Sequence, residues 1–154
     1  MTGALAAGNP ANGVWVTVNS GGTLSGSGRC GEVRVKSGGT IKPEGGNLTV
    51  SNLVLYAGCT VYRDAGTTNR IVVSQAGSIA DQQGLTIIGG SVTLGGTVAA
   101  GVYPLIEYSG MLNGSVTNLT VANPEAGATY SFSATNNLIE VTVQKSAGTR
   151  LSVF

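Results

Sequence analysis

Apolar residues alternate with polar ones in short runs along this chain, and each run stops at a glycine-rich corner. The first unit reads Val16-Thr17-Val18-Asn19-Ser20-Gly21-Gly22-Thr23-Leu24. Seventeen residues on, the outline returns as Val33-Arg34-Val35-Lys36-Ser37-Gly38-Gly39-Thr40-Ile41. Twenty further it is Leu53-Val54-Leu55-Tyr56-Ala57-Gly58-Cys59-Thr60-Val61, and eighteen after that Ile71-Val72-Val73-Ser74-Gln75-Ala76-Gly77-Ser78-Ile79. A shorter fifth unit, Leu85 to Val92, is echoed by Leu94-Gly95-Gly96-Thr97-Val98. Period-two alternation predicts strands, and glycine at the break predicts tight corners that need positive φ. No segment holds apolar residues at helical spacing, so helix is expected to be nearly absent.

A repeat near twenty residues points to stacked units. In a right-handed parallel β-helix, equivalent residues of successive coils lie above one another. Leu24, Ile41, Val61 and Ile79 would then form one inward column, and Val18, Val35, Leu55 and Val73 another. The alternative is an antiparallel β-sandwich, whose turns recur at shorter intervals and whose units need not resemble each other. The coil lengths favour the β-helix.

The last third changes character. Val102 to Tyr108 reads as a strong strand, and Tyr130–Ser133 with Leu138–Val143 reads as a hairpin across Thr135-Asn136-Asn137. Aromatics concentrate after residue 100. The open end of a solenoid exposes core and strand edges, which bulky residues and a hairpin can cover. The expected organisation is a flexible lead-in over 1–13, coils over 14–99, a C-terminal cap over 100–145 and a tail over 146–154.

Composition narrows the chemistry. The 154 residues include 25 glycines, and charged residues make up 10 % with no histidine. The chain is too apolar and too weakly charged for disorder. A net charge of +1, with scattered basic residues, gives no electrostatic reason to expect nucleic acid or an anionic membrane as partner. No run of eighteen apolar residues could cross a bilayer as a helix, so membrane insertion is not expected, and the opening MTGALAAGNPANG lacks the pattern of a signal peptide.

Without histidine, Ser-His-Asp and Cys-His catalysis are unavailable, as is the mixed zinc site. The glycine pairs precede strands rather than helices, so they are not phosphate-cradling loops, and no cofactor is expected. Cys30 and Cys59 stand at different phases of their coils, which argues against a disulfide between them. The matches Asn47-Leu-Thr, Asn113-Gly-Ser and Asn118-Leu-Thr fit the glycosylation pattern but are expected by chance in so Asn- and Thr-rich a chain. Glu44, Asp64 and Asp81 follow their units' apolar residues by two or three positions and could stack on one face as a glycan-hydrolysing or calcium-holding group. The simpler reading is three solvated turn residues, so neither a catalytic nor a metal site is expected. Candidate binding residues are the outward hydroxyls after each corner: Thr23, Thr40, Thr60 and Ser78.

GGTLSGSG, EVRVKSGGTIKPEGGNLTV, NRIVVSQAGSI and SVTLGGTVAAGVYPLIEYSGMLNGSVTNLTV, in that order, resemble the passenger regions of bacterial type V autotransporters. The likeness covers roughly residues 14–145 and is closest to repeats near a passenger's C-terminal end. The resemblance implies a parallel β-helix at the bacterial cell surface or outside the cell, non-enzymatic and adhesive. Its partner would be a host surface, a glycan or another copy, and residues 85–145 would assist folding. A polysaccharide-acting enzyme and a trimeric viral or phage fibre module are the alternatives.

Overall fold

A computed structural model describes residues 15–74 and 84–146. These residues are all-β and carry no α-helix. In chain order the strands are β1 (Trp15–Val18), β2 (Thr23–Arg29), β3 (Glu32–Val35), β4 (Thr40–Val50), β5 (Leu53–Leu55), β6 (Thr60–Asp64) and β7 (Ile71–Val73). After these come β8 (Leu85–Ile87), β9 (Gly90–Gly95), β10 (Gly101–Tyr108), β11 (Leu112–Gly114), β12 (Leu119–Val121), β13 (Ala128–Thr135) and β14 (Leu138–Lys145), with one 3-10 turn at Val116–Asn118.

Five strands form one sheet in the order β1-β3-β5-β8-β11, with every pairing parallel. The other nine form a mixed sheet, β12-β9-β6-β4-β7-β10-β14-β13, with β2 also on β4. Within it only β10–β14 and β13–β14 are antiparallel. That departs from an antiparallel sandwich, because every other pairing in both sheets is parallel. The long β4 serves two neighbours: Thr40 and Ile41 pair with β6, whereas Leu48–Val50 pair with β7.

The first two offsets appear as spatial registers. Val18 pairs with Val35 and Val35 with Leu55; Leu24 pairs with Ile41 and Ile41 with Val61. The fourth unit departs from expectation. Val73 stacks on Val50 rather than on Leu55, whose next partner is Ile87, thirty-two residues on. Val61 is likewise continued by Val92. Ile79, expected in that column, lies outside the described residues. Any alternating run of branched residues can add to a parallel edge, so the local pattern is compatible with either neighbour.

The inward columns Val18–Val35–Leu55–Ile87 and Leu24–Ile41–Val61–Val92 are buried and join one core with Leu48, Ile71 and Ile106. Each such side chain contributes about 1.5–3 kcal/mol when fully buried. Within the region expected as a cap, residues 112–121 extend the parallel ladders: Leu112 pairs with Leu85 and Val121 with Val92. The hairpin follows, β13 on β14, with Asn136 and Asn137 at φ 54° and 62° in its two-residue turn. Asparagine tolerates that left-handed conformation, which matches the strand twist. Among the described residues no helix is long and apolar enough to cross a membrane.

Candidate functional site

The repeated corner decides how outward residues are presented. In Asn19-Ser20-Gly21-Gly22 the Gly22 N–H donates to Asn19 O at 2.8 Å, and Gly21 takes φ +85°. Gly39 N–H donates to Lys36 O at 2.9 Å with Gly38 at +82°, and Cys59 N–H to Tyr56 O at 3.1 Å with Gly58 at +85°. Positive φ at the third residue is the mark of a type II turn, which favours glycine there. Successive corners are tied together, since Gly21 N–H donates to Gly38 O at 3.0 Å and Gly38 N–H to Gly58 O at 2.9 Å.

Because the corners superpose, the residues after them line up. Thr23 pairs with Thr40, Thr40 with Thr60, Thr60 with Ser91, and Ser91 with Thr120. Each precedes an apolar residue of the inward set, so its side chain stands on the opposite face of the strand, where Ser91 Oγ also donates to Cys59 O at 3.4 Å. Strand spacing sets the hydroxyls about 4.8 Å apart. Three of the four candidate residues are therefore brought together. Ser78 lies outside the described residues; the fourth and fifth rungs are Ser91 and Thr120, which the sequence reading passed over.

Beside this ladder runs a second column, Ser25–Lys42 on β2–β4 and Tyr62–Thr93 on β6–β9. Lys42 Nζ sits 4.6 Å from the Tyr62 ring centroid and 4.0 Å from Glu44 Oε2. Gly95 leaves room for the Tyr62 ring, which a Cβ there would strike. At the corner edge, Lys36 Nζ lies 3.9 Å from the Tyr56 ring centroid. Both rings thus hold a cation on one face, an arrangement that fixes flat side chains on an otherwise weakly charged surface.

The carboxylates are placed separately. Glu44 is exposed and faces Lys42. Asp64 ends β6 and caps its own turn, its Oδ1 accepting from Gly66 N–H at 2.8 Å. Asp81 lies outside the described residues. Among the described residues no three His, Cys, Asp or Glu side chains gather into a group able to hold a metal ion. Cys30 and Cys59 are free thiols, and burial pushes the Cys59 pKa up to about 11, away from nucleophilic use near neutrality.

Two buried polar clusters escaped the sequence reading. The Arg63 guanidinium, 4 % exposed, donates from Nε to Pro104 O at 2.7 Å and from Nη1 to Thr67 O at 2.6 Å and to Asp64 O, beneath the Tyr103 ring. Burial, joined by the nearby Arg70 charge, lowers its pKa from the usual guanidinium value; Asp64 and Tyr103 oppose the shift. Glu32 and Asn52 are fully buried: Asn52 Nδ2 donates to Glu32 Oε2 at 3.0 Å, while Asn52 Oδ1 accepts from Gly84 N–H at 2.5 Å. The first ties β6, which carries Thr60, to β10, and the second ties β3 to the starts of β5 and β8 in the five-stranded sheet. An inward charge in an otherwise apolar column, as at Arg63 between Val61 and the corner, is the signal that could have found one of them.

No protein-family model matches this sequence, and no curated protein matches it at a significant level.

Proposed function

We propose that the chain is a segment of a right-handed parallel β-helix from a bacterial autotransporter passenger. It is displayed outside the cell or on its surface, and it acts by adhesion rather than catalysis. The hydroxyl ladder Thr23–Thr40–Thr60–Ser91–Thr120 carries this reading. A row of donors and acceptors at fixed spacing, on a rigid and weakly charged face, suits a partner that is neutral, extended and rich in hydroxyls. A host glycan has that chemistry. Individual contacts of this kind are weak, and repetition along the ladder supplies the strength. The parallel ladders and the repeated corners support the β-helix. The hairpin β13–β14 against β10 supports a folding-assisting role for residues 85–145.

The test is binding of the labelled protein to immobilised neutral polysaccharides, compared with Thr40→Lys/Thr60→Lys/Ser91→Lys. Binding is expected to fall at least about tenfold in the triple variant, a change of about 1.4 kcal/mol. Circular dichroism melting should stay cooperative. Equal binding by both proteins, or none by either, removes the adhesive reading.

A further inference from the structure

The mixed sheet runs from β12 at one end to β13 at the other without joining them. Between these two end strands lies a cleft of ≈ 550 Å³. Its lining includes all of Leu119, Thr120 and Val121 on one wall, and the consecutive run Ala128 to Phe132 on the other. Consecutive strand residues point to opposite faces of a sheet, so a cleft touching every one of them lies along the strand edges, not on one face. Its walls are therefore main chain.

The hydrogen-bond pattern agrees. Ala122 N–H donates to Val92 O at 2.8 Å, which places the β9-facing groups of this stretch on Thr120 and Ala122. By alternation, Val121 turns its N–H and C=O to the cleft, as Leu119 does its C=O; the Leu119 N–H closes the 3-10 turn on Val116 O. On the facing wall, among the described residues, β13 pairs only with β14, leaving alternate backbone groups of its other edge toward the cleft. Among the described residues no lining side chain is charged, and at the Ala128 end Lys145 and Glu125 neutralise each other at 2.9 Å. Inward, Val116, Tyr130 and Phe132 give the cleft an apolar floor.

We propose that this seam accepts an extended peptide segment from a partner protein, added as a strand between β12 and β13. The unpaired edges recognise main chain. The uncharged lining and apolar floor select a neutral segment with apolar side chains at alternate positions. An ionised side chain facing the floor would meet no countercharge, so the pattern of the peptide matters as well as its backbone.

The whole 154-residue chain is titrated with the peptide Ac-Thr-Val-Thr-Val-Thr-Val-NH2 and followed by amide hydrogen exchange. Ser146 N–H donates to Gly127 O, so in the antiparallel register Thr129 and Ser131 face β14, whereas Tyr130 and Phe132 face the cleft. Protection is expected to rise at Val121, Tyr130 and Phe132, with a Kd below about 1 mM. The same peptide N-methylated at alternate residues should bind at least about tenfold more weakly. Ser131→Asp, an exposed substitution on the far wall, should weaken binding to a similar degree while the protein melts as before. Equal binding by the N-methylated peptide overturns the proposal, because side-chain stickiness alone would explain it. So does protection of Val121 and Tyr130 that is already present without peptide and is unchanged by adding it. That result means the seam is filled by this chain if protection is independent of protein concentration, or by a second copy if protection rises with it.

Discussion

The Ser37 side chain rests on the backbone of Gly58, in the space that a Cβ at Gly58 would occupy. Ser20 stands in the same relation to Gly38. The Ser-Gly pairs are thus matched between neighbouring rungs: the serine of one corner needs the glycine of the next. Gly58→Ala would add both the clash and the strain of a side chain at φ +85°. A loss of roughly 2–4 kcal/mol in urea unfolding is expected. Pairing it with Ser37→Gly relieves the clash and leaves the backbone strain, so the double-mutant cycle should show a coupling of about 1 kcal/mol or more. Strictly additive losses would mean that the two residues do not share that space.

Asn52 bridges Glu32 and the Gly84 amide inside the protein. Asn52→Ala strands a buried carboxyl oxygen and a buried N–H together. Stability is expected to fall by about 2–4 kcal/mol, measured by denaturant titration. Glu32→Gln keeps an acceptor for Asn52 and should cost clearly less. If the two substitutions cost the same, the bridge is not the source of the loss.

Arg63 reaches three carbonyl oxygens, Asp64 and Thr67 in the turn that follows it and Pro104 in β10. Lysine retains the charge but not the planar fork, so Arg63→Lys leaves buried carbonyls without donors. The expected cost is about 2–4 kcal/mol. Hydrogen exchange should localise the loosening to β6 and β10. A variant as stable as the parent would show that a point charge is enough.

Cys59 gives a pH dependence with a definite sign. Burial raises its pKa from an ordinary 9.0 to about 11, so between these values the folded thiol keeps a proton that the unfolded one releases. The folded state then binds more protons, and stability falls as pH rises through that window. A shift of this size corresponds to roughly 2–3 kcal/mol. Under reducing conditions the difference in unfolding free energy between pH 8 and pH 11 should shrink by about that amount in Cys59→Ala. An unchanged pH slope in the variant would assign the loss to other groups.

How much was legible in the sequence depended on whether a signal was local. Positive φ at Gly21, Gly38 and Gly58 is a local demand, and the corners stood where glycine placed them. Asn136-Asn137 similarly marked the hairpin turn before any pairing was known. Register over long distances is another matter. Ile71-Val72-Val73 carries the same alternation as Leu53-Val54-Leu55, yet it pairs with Leu48–Val50, because a parallel edge accepts any such run. The fourth rung of the hydroxyl ladder therefore moved to Ser91, thirteen residues past Ser78. Arg63 was overlooked because its partners are main-chain oxygens, which carry no side-chain signature.

The two ends of the described chain are held very differently. At the N-terminal end β1 has, among the described residues, a neighbour on one side only, β3. At the C-terminal end β14 lies between β10 and β13, paired along most of its length with both. A pull on Trp15 meets a single four-residue ladder and can peel it away pair by pair. A pull on Lys145 must slide a strand past two partners at once, so many hydrogen bonds share the load before any breaks. Among the described strands, β1 is therefore the one that tension peels first, while β14 acts as the anchored grip.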